Sequence, residues 1–513
     1  MADTVPFEAN PNHPQHTADT FRPILKALAL AAAVDPRDPF NTPPASYRSP
    51  SHNGAPPPQP ILSQHHLETL FEHLADPNFT SSRENHAQIG SALTSLKFTR
   101  LDIQADTFAL AARIFLDSCL KVHVDPLDAS LRPDPPAAAA APGQPADVYE
   151  GTLDLVGTGG DGKDTFNVST TAAMVAAGVP GVRVCKHGAK ASSSTSGSAD
   201  LLISLGIPLL TLPPSQIAQL LPRTKFAFLF AQLYHPALAP LGPIRRNLGF
   251  PTIFNVLGPL INPAQPERCI LGVHSYYLGR TFAEALRKRG TKRAWIVCGR
   301  EGLDEISPEG PTDVWELNDG EITEFSITPS SFGLASHALA DVGSHSAHEN
   351  ASIVLHLFSS SSLSSLPTSP LPAPLHVDVE RFTDRHTRNL VSHLPPIPAG
   401  VRLGAIADYT LLQSAALLYV GSYAPSLPAA TDMARKSMQD GAALRALERF
   451  RTEAIQAVQR DEEIKKREED EAQKRGRRSS KDLSADSALA RKQDQYSYLP
   501  ETYQDVAVGT DDA

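Results

Sequence analysis

The chain contains very few cysteines, four among 513 residues. Cys119, Cys185, Cys269 and Cys298 lie far apart in apolar segments, with neither the paired spacing of a zinc site nor the density of a disulfide framework. This pattern excludes the class of small disulfide-rich secreted proteins and predicts reduced core residues. A thiol nucleophile at Cys185 is the alternative interpretation.

The sequence also lacks a long apolar run near its start and an excess of positive charge. The longest apolar run there, residues 27–34, is too short to cross a bilayer, and residues 1–4 lack the Arg-rich amphipathic character of a transit peptide. The net charge of −10 argues against generic binding to nucleic acid. We therefore expect a cytoplasmic protein without a membrane or nucleic-acid partner, in which any basic site is local.

Prolines are abundant instead, with 45 in the chain, and they separate segments of different pattern. Apolar residues recur at helical spacing from Leu62 to Leu74 and from Phe108 to Cys119, whereas strand-like and helix-like segments alternate after residue 148. Such alternation predicts an α/β fold in which a small N-terminal α-helical domain precedes a larger domain with a central, mostly parallel sheet.

The expected parts of the chain follow from these changes of pattern. Residues 1–20 are expected to be disordered, and a possible helix at 21–34 lies within a linker. The predicted divisions are 1–59 (disordered or linker), 60–125 (helical domain, joined by C-terminal helices that pack from the α/β part), 148–450 (α/β domain with an inserted surface loop at 357–400) and 451–513 (charged helical extension and disordered tail).

The most informative stretch, DLVGTGGDGKDTFNVST, runs from Asp154 to Thr170. It leads from an apolar strand through a glycine turn into a helix that is predicted to begin at Thr170, with Asn167 or Ser169 as its cap, and to end at Gly178. Glycines let the backbone approach a ligand closely, and the N–H groups at a helix start favour an anion. This stretch therefore predicts a phosphate site.

The spacing Gly157-x-Gly159-x-x-Gly162 also fits a dinucleotide fingerprint. That fingerprint needs an acidic residue at the end of the next strand, to bind a ribose hydroxyl. The next predicted strand, 182–185, ends instead in the basic run 186–190, KHGAK. Because cations attract phosphate, the run favours a multiply phosphorylated ligand over a nicotinamide cofactor.

A serine-rich run, SSSTSGS at 192–198, supplies hydroxyl groups ahead of a short predicted helix, 201–205, which Gly206 ends. Its composition alone is also typical of a solvated linker. Its position directly after a basic strand end favours contacts with phosphate oxygens.

Several motifs follow one another in a fixed order and together resemble the anthranilate phosphoribosyltransferase family, in a fungal-like form with extended termini and an insertion. The resemblance covers roughly residues 60–345 and 405–450. The motifs are GTGGD from 157, TFNVST from 165, KHG from 186, SGSAD from 196, YHPA from 234, the arginines at 245 and 246, IFNVLGPLINP from 253 and GLDEIS from 302.

The resemblance implies a function in tryptophan biosynthesis. In this family the amine of anthranilate attacks C1 of phosphoribosyl pyrophosphate (PRPP), and pyrophosphate leaves. It implies Mg²⁺ as the cofactor and a homodimer formed through the helical domain. It further implies that PRPP binds at Gly157, Gly160, Asp161, Thr165, Asn167, Val168, Ser169, Thr170, Lys186, His187, Gly188, Lys190, Ser192, Ser193, Ser194 and Ser198.

Adjacent carboxylates at Asp304 and Glu305 follow a predicted buried strand, 295–298, and the loop 299–302. Mg²⁺ prefers one or two carboxylates together with phosphate oxygens and water, although such a pair on a turn is also commonly just solvated. The resemblance implies that both are metal ligands, with the Ser169 hydroxyl as a third. No obligatory acid or base is predicted, because an arylamine is already a neutral nucleophile.

The carboxylate of an acceptor such as anthranilate calls for an arginine, whose planar guanidinium matches it. The resemblance assigns this role to Arg245 and leaves Arg246 to a structural ion pair. His235 precedes a proline and is either a satisfied turn histidine or a group that faces the acceptor. The remaining implied acceptor positions are Gly157, Gly258 and Ala189.

Ala189 and Lys190 depart from the family pattern, since bacterial members resemble Lys-His-Gly-Asn-Arg at this motif. An amide contact to anthranilate is therefore absent at Ala189. Two alternatives also stay open from the sequence: an enzyme related to pyrimidine nucleoside phosphorylase, which shares a similar glycine loop, and a non-catalytic binding or regulatory relative.

Overall fold

The computed structural model describes residues 16–34, 62–124, 149–191, 194–372, 374, 377–382 and 385–494. Internal contacts divide the chain into two units, Met1–Ile455 and Gln456–Ala513. The expectations for residues 1–15, for the linker at 35–61, for the connection at 125–148 and for the tail after 494 lie outside the described residues. The division into domains at the boundaries given above stays a prediction.

Five helices come before the sheet: α1 (Ala18–Val34), α2 (Gln64–Ala75), α3 (Pro77–Ser81), α4 (His86–Phe98) and α5 (Ala105–Asp117). Helix α1 packs on α2 and α4, with the Phe21 and Phe79 rings 5.1 Å apart. The expected disorder up to residue 20 is wrong for its last residues. Reciprocal hydrogen bonds from the Thr17 amide to Thr20 Oγ1 (2.9 Å) and from the Thr20 amide to Thr17 Oγ1 (3.3 Å) close the first turn and start the helix earlier.

A seven-stranded sheet follows, made of β1 (Leu153–Gly157), β2 (Val184–Gly188), β3 (Phe226–Phe230), β4 (Arg268–Gly272), β5 (Arg293–Gly299), β6 (Thr312–Asn318) and β7 (Glu321–Ile327). The strand order is β3-β2-β1-β4-β5-β6-β7. Strands β1 to β5 pair in parallel, and β6 and β7 are antiparallel. The expected α/β class with a mostly parallel sheet is therefore confirmed.

The remaining helices are α6 (Val168–Gly178), α7 (Ser198–Ser204), α8 (Pro214–Thr224), α9 (Ala231–Tyr234), α10 (Leu241–Leu248), α11 (Ile253–Val256), α12 (Tyr276–Lys288), α13 (Ala347–Ser359), α14 (Arg385–His393), α15 (Leu403–Val420), α16 (Leu427–Gln439) and α17 (Ala442–Asp494). Helix α12 packs on α5, where the Phe108 and Phe282 rings lie 4.9 Å apart. The first helices and the sheet therefore share one apolar core.

Helix α15 is long and apolar enough to cross a membrane, yet 89% of its residues are buried inside the protein. It packs on α6 and α16, and the Ser414 hydroxyl donates to the Ala172 carbonyl of α6 at 3.4 Å. Its all-round apolar character is explained by this central position.

The segment expected to be an inserted surface loop, 357–400, has structure of its own where it is described. It contains the end of α13 and all of α14, and its buried apolar side chains include Leu363, Leu371, Phe382, Val391 and Ile397. These residues are spread among serines and prolines, so no periodic pattern revealed them in the sequence.

Candidate functional site

The loops that carry the family-like motifs meet at one edge of the sheet. Residues 158–167 follow β1, residues 189–197 follow β2, and residues 300–306 follow β5. Since β1, β2, β4 and β5 run parallel, their carboxyl ends lie side by side. This edge is where open α/β sheets bind ligands.

The glycine turn after β1 lies directly against the acidic loop after β5. A Cβ atom on Gly157 would sit 2.3 Å from Asp304 Oδ2, and one on Gly272 would sit 1.5 Å from the Asp304 carbonyl oxygen. Only glycine permits this approach at either position. The Gly159 amide, in a residue with φ of 72°, donates to Asp304 Oδ2 at 2.6 Å.

Asp304 is buried and Glu305 is partly buried, so the pair is not an ordinary solvated turn. Burial, reinforced by the negative charge of Asp161, raises the pKa of Asp304 to about 7. Burial and the charge of Asp304 raise the pKa of Glu305 to about 8, although the Tyr409 hydroxyl donates to Glu305 Oε2. Two neighbouring carboxylates that resist ionisation are suited to a bound cation, whose charge would favour their ionised forms.

The described residues contain no group of three or more His, Cys, Asp or Glu side chains that could hold a metal. Two carboxylates and the Ser169 hydroxyl are nevertheless a sufficient protein contribution for Mg²⁺, which takes its other ligands from phosphate and water. The residues therefore fit Mg²⁺ held together with a phosphorylated substrate.

The strand was expected to span 182–185, with Lys186 in the basic run at its end, and these bounds are wrong. Strand β2 extends to Gly188, so Lys186 lies within the sheet and is 1% exposed. Its Nζ donates to the Leu155 carbonyl and to Ser169 Oγ, the latter at 3.3 Å. Burial lowers the pKa of Lys186, while the negative charges of Asp154, Glu305 and Asp304 raise it. These carboxylates explain why a cation is tolerated inside the strand.

The end of β2 is also tied to the segment around Gly258. Asn262 Nδ2 donates to Asp154 Oδ2 at 2.8 Å and to the Cys185 carbonyl at 2.9 Å. Burial raises the pKa of Asp154 to about 6. Cys185 is fully buried and burial raises the pKa of its thiol, so the nucleophile interpretation is wrong.

Asn167 occupies the cap position of α6, but its side chain makes no capping hydrogen bond. Its Nδ2 donates instead to the Ser196 carbonyl at 2.7 Å, and its Oδ1 accepts from the Ser196 hydroxyl at 2.8 Å. Asn167 therefore holds the predicted cap position without a capping hydrogen bond, because its amide links the loops after β1 and β2. Ser169 accepts from Lys186 rather than capping the helix.

The other positions implied for PRPP fall into three groups. Gly160, Asp161 and Thr165 lie on the loop after β1, His187 and Gly188 end β2, and Lys190, Ser194 and Ser198 lie on the loop after β2 or at the start of α7. The side chains of Val168 and Thr170, at the start of α6, are fully buried. Ser192 and Ser193 lie outside the described residues.

A second region, beyond β2, contains the residues implied for the acceptor. The His187 and His235 rings are 5.0 Å apart. Both are buried, and burial lowers the pKa of His235 to about 4. Neither ring nitrogen of His235 has a hydrogen-bond partner of normal geometry among the described residues, while the Ile261 backbone acts on the ring and raises its pKa, so both interpretations of His235 stay predictions. His235 is therefore a neutral, buried imidazole beside His187.

Arg245 lies on α10 with its guanidinium 5.7 Å from the centre of the Phe254 ring and donates to Asn255 Oδ1 at 3.4 Å. Burial lowers its pKa, and its buried Nε lacks a partner among the described residues. Arg246 is exposed, and the expected ion pair is not found for it among the described salt bridges. Gly258 begins a short turn, Gly258–Leu260, next to α11, and Ala189 is exposed.

Comparisons with known proteins agree with this arrangement. The family model described as "Glycosyl transferase family, a/b domain" matches residues 149–366. Anthranilate phosphoribosyltransferase of Schizosaccharomyces pombe is 44% identical over 300 residues, which cover 58% of this chain and 74% of that protein. The enzyme of that name from Lactiplantibacillus plantarum is 34% identical over 383 residues, 75% of this chain and 93% of that protein.

Solved structures of anthranilate phosphoribosyltransferases are also similar to this chain. Anthranilate phosphoribosyltransferase from Saccharomyces cerevisiae in complex with PRPP and Mg has a TM-score of 0.61 and 32% identity, and the match covers 86% of this chain and 99% of that chain. The same enzyme in complex with 4-fluoroanthranilate has a TM-score of 0.61 and 30% identity, with 86% and 100% covered.

Proposed function

The chain belongs to the anthranilate phosphoribosyltransferase family, and from this premise we propose that it transfers the phosphoribosyl group of PRPP to the amine of anthranilate. The products are N-(5-phosphoribosyl)anthranilate and pyrophosphate, in tryptophan biosynthesis, with Mg²⁺ as cofactor. The observation that carries the proposal is the partly desolvated Asp304–Glu305 pair, packed against the glycine turn at Gly157 and Gly159. Family membership also decides against the phosphorylase and the non-catalytic relative.

On the donor side, the chain offers backbone N–H groups, hydroxyls and one buried cation to a polyanion. We assign the phosphates of PRPP to the loops after β1 and β2, including Asn167, Ser194 and Ser198. Asp304, Glu305 and Ser169 would hold Mg²⁺, which when bound neutralises charge that develops on the leaving pyrophosphate. Lys186 adds a fixed positive charge beneath the same loops, and its buried position makes that charge more effective than a surface lysine's.

On the acceptor side, Arg245 would bind the carboxylate of anthranilate, and the Phe254 ring lies within cation–π distance of its guanidinium. A Cβ atom on Gly258 would meet nothing within 4 Å, which leaves room for a flat ring, and Gly157 is assigned to the acceptor by the family resemblance alone. His187 and His235 stay neutral because burial lowers the pKa of both. They therefore do not protonate the attacking amine, and catalysis depends on orienting two bound substrates.

Two further properties belong to the proposal. We infer a homodimer formed through the helical segment 60–125 and a cytoplasmic location, both of which rest on the family resemblance and on the sequence features described above. Light scattering on the purified chain should give twice the mass of one chain. A monomeric mass at micromolar concentration would contradict the dimer without affecting the reaction.

The reaction is tested by following the loss of anthranilate fluorescence in the presence of PRPP and Mg²⁺. We expect loss only when both are present, and no phosphorolysis of thymidine in phosphate buffer. The variant that combines Asp304→Asn with Glu305→Gln is the matched control, because it keeps side-chain size and removes charge. An unchanged anthranilate signal with the unsubstituted chain would refute the proposed function.

A further inference from the structure

Asn350 lies in α13 and belongs to none of the motifs that identify the site. Its side chain is completely buried. Its Nδ2 donates to Asn167 Oδ1 at 2.9 Å, to Ser344 Oγ at 3.2 Å and to the His345 carbonyl at 3.0 Å. Its Oδ1 accepts from the His345 amide at 3.2 Å. The two N–H groups of this amide are thus shared among three acceptors, and this network of hydrogen bonds holds the buried side chain in one orientation.

The direction of the hydrogen bond between Asn350 and Asn167 is determined by the surrounding groups. Asn167 Nδ2 must face the Ser196 carbonyl, which can only accept. Its Oδ1 then accepts from both the Ser196 hydroxyl and Asn350. Asn350 must therefore donate, and no side chain of similar shape without an N–H group can replace it.

Backbone contacts bring the same three segments together. The Phe166 amide donates to the Val342 carbonyl and the Ser344 amide donates to the Asp164 carbonyl, both at 2.8 Å. Asp164 has a φ of 46°, and its carboxylate accepts from the Thr195 amide at 2.8 Å and from the Thr195 hydroxyl at 2.5 Å. The segment 342–350 thus supports the loop after β1, which in turn binds the loop after β2.

We propose that Asn350 is a positioning residue for PRPP: through Asn167 it fixes the loop after β1 relative to the serine-rich loop after β2, so that both present their donors to one phosphorylated substrate. This inference rests on the proposed function. Asn350 does not touch the substrate and acts on KM for PRPP rather than on the acceptor. The rate of the chemical step depends mainly on the metal pair and on substrate orientation.

The test compares Asn350→Asp and Asn350→Ala with Ser352→Ala in the full chain. Ser352 is a buried residue of the same helix whose hydroxyl donates to the Pro395 carbonyl at 2.5 Å and to the His348 carbonyl at 3.3 Å, and its described hydrogen bonds reach neither loop. Asn350→Asp keeps the size of the side chain and its acceptance from His345, but it removes the donor to Asn167. We expect it to raise KM for PRPP roughly tenfold, the ratio that corresponds to about 1.4 kcal/mol of lost binding.

KM for anthranilate should stay unchanged in the Asn350 variants, and Ser352→Ala should keep both KM values. Hydrogen exchange gives a second readout that does not need activity: amides of 164–168 and 194–196 should exchange faster in Asn350→Asp and at the original rate in Ser352→Ala. If KM for PRPP is unchanged in Asn350→Asp, or rises equally in Ser352→Ala, the positioning role is wrong. If the unsubstituted chain is inactive, the proposed function is wrong. In that case hydrogen exchange still tests the positioning role: unchanged exchange rates in Asn350→Asp would show that Asn350 does not hold the two loops together.

Discussion

At the residue scale, the site contains ionisable side chains that are already buried, and therefore partly desolvated, before any substrate binds. Asp304, Glu305 and Lys186 lie within electrostatic reach of one another, and each has a pKa shifted by burial toward its neutral form. Such pKa shifts are typical of functional sites, because burying an ionisable side chain that has no function would only lower the stability of the fold. A bound divalent cation would offset the repulsion between the two carboxylates.

Replacing both carboxylates with amides, Asp304→Asn with Glu305→Gln, should lower kcat by roughly 100-fold or more, the size of effect seen when a transition-state charge contact is removed. The fold should persist because the substitutions keep side-chain size. Steady-state kinetics over a range of Mg²⁺ concentrations measures the effect, and circular dichroism checks the fold. Unchanged turnover in the double variant would rule out their metal role.

Arg245→Ala should raise KM for anthranilate roughly tenfold, because it removes a charge-assisted hydrogen bond to a carboxylate. KM for PRPP should change little. Arg246→Ala is the matched control: the neighbouring arginine is exposed on the same helix and should affect neither constant. An equal rise of both KM values in Arg245→Ala would show that the assignment to the acceptor is wrong.

At the scale of elements, the docking of α1 on α2 and α3 depends on a buried histidine. His73 Nδ1 contacts the Thr69 carbonyl at 2.6 Å, and its Nε2 lies 2.8 Å from the hydroxyl of Thr20 in α1. Its ring is tilted by 51° to that of His16, with the centroids 4.5 Å apart. Asp76, which pairs with His16 at 3.1 Å, is the acidic group nearby. Burial lowers the pKa of His73 to about 4, so the imidazole is neutral in the folded protein at neutral pH.

This shift predicts an acid-dependent loss of stability. The unfolded chain binds a proton at His73 below its ordinary pKa of 6.5, whereas the folded chain does so only below about 4. The contribution of His73 to the free energy of unfolding is therefore complete above pH 6.5. It is lost as the pH falls to 4, at a rate of at most about 1.4 kcal/mol per pH unit. Urea unfolding at several pH values measures the change.

His73→Gln provides the comparison for that experiment, since glutamine does not titrate and the other histidines remain. The free energy of unfolding of the unsubstituted chain should fall more steeply between pH 6.5 and 4 than that of the variant. Parallel pH dependences would show that His73 is not protonated on unfolding in this range.

At the scale of the whole molecule, the candidate site uses only the first of the two contact units. The site residues described above lie between Gly157 and Tyr409, whereas residues 462–471 of α17 are exposed and densely charged. Removing residues 461–513 should therefore leave kcat and both KM values unchanged. Kinetics of the truncated and full chains measure this, and a loss of activity in a truncated protein that still folds would give the extension a role in catalysis.

Much of the fold and the site was predictable because it depends on local chemistry. The glycine turn at Gly157, the basic residues after it and the Asp304–Glu305 pair are recognisable as short patterns, and alternating strands and helices give the sheet. Other features are not local. The predicted strand ended before Lys186, and the carboxylates that allow this lysine inside β2 come from β1 and from the loop after β5.

Asn350 and Tyr409 were missed for the same reason. Each is an ordinary residue of a helix far along the chain from its partner: Asn350 is 183 positions from Asn167, and Tyr409 is 104 positions from Glu305. No periodicity or spacing connects such pairs. Their hydrogen bonds exist only because α13 and α15 pack next to the loops.

The amino-acid sequence by itself determined the family, the α/β class and the kinds of groups offered to a phosphate, a metal ion and a carboxylate, since these follow from residue type and near-neighbour spacing. Only the tertiary structure decided which of those groups are buried, which carboxylate faces which cation, and which distant amide holds the loops together. The physical reason is that desolvation and hydrogen-bond satisfaction depend on everything packed around an atom, and most of those neighbours come from remote parts of the chain.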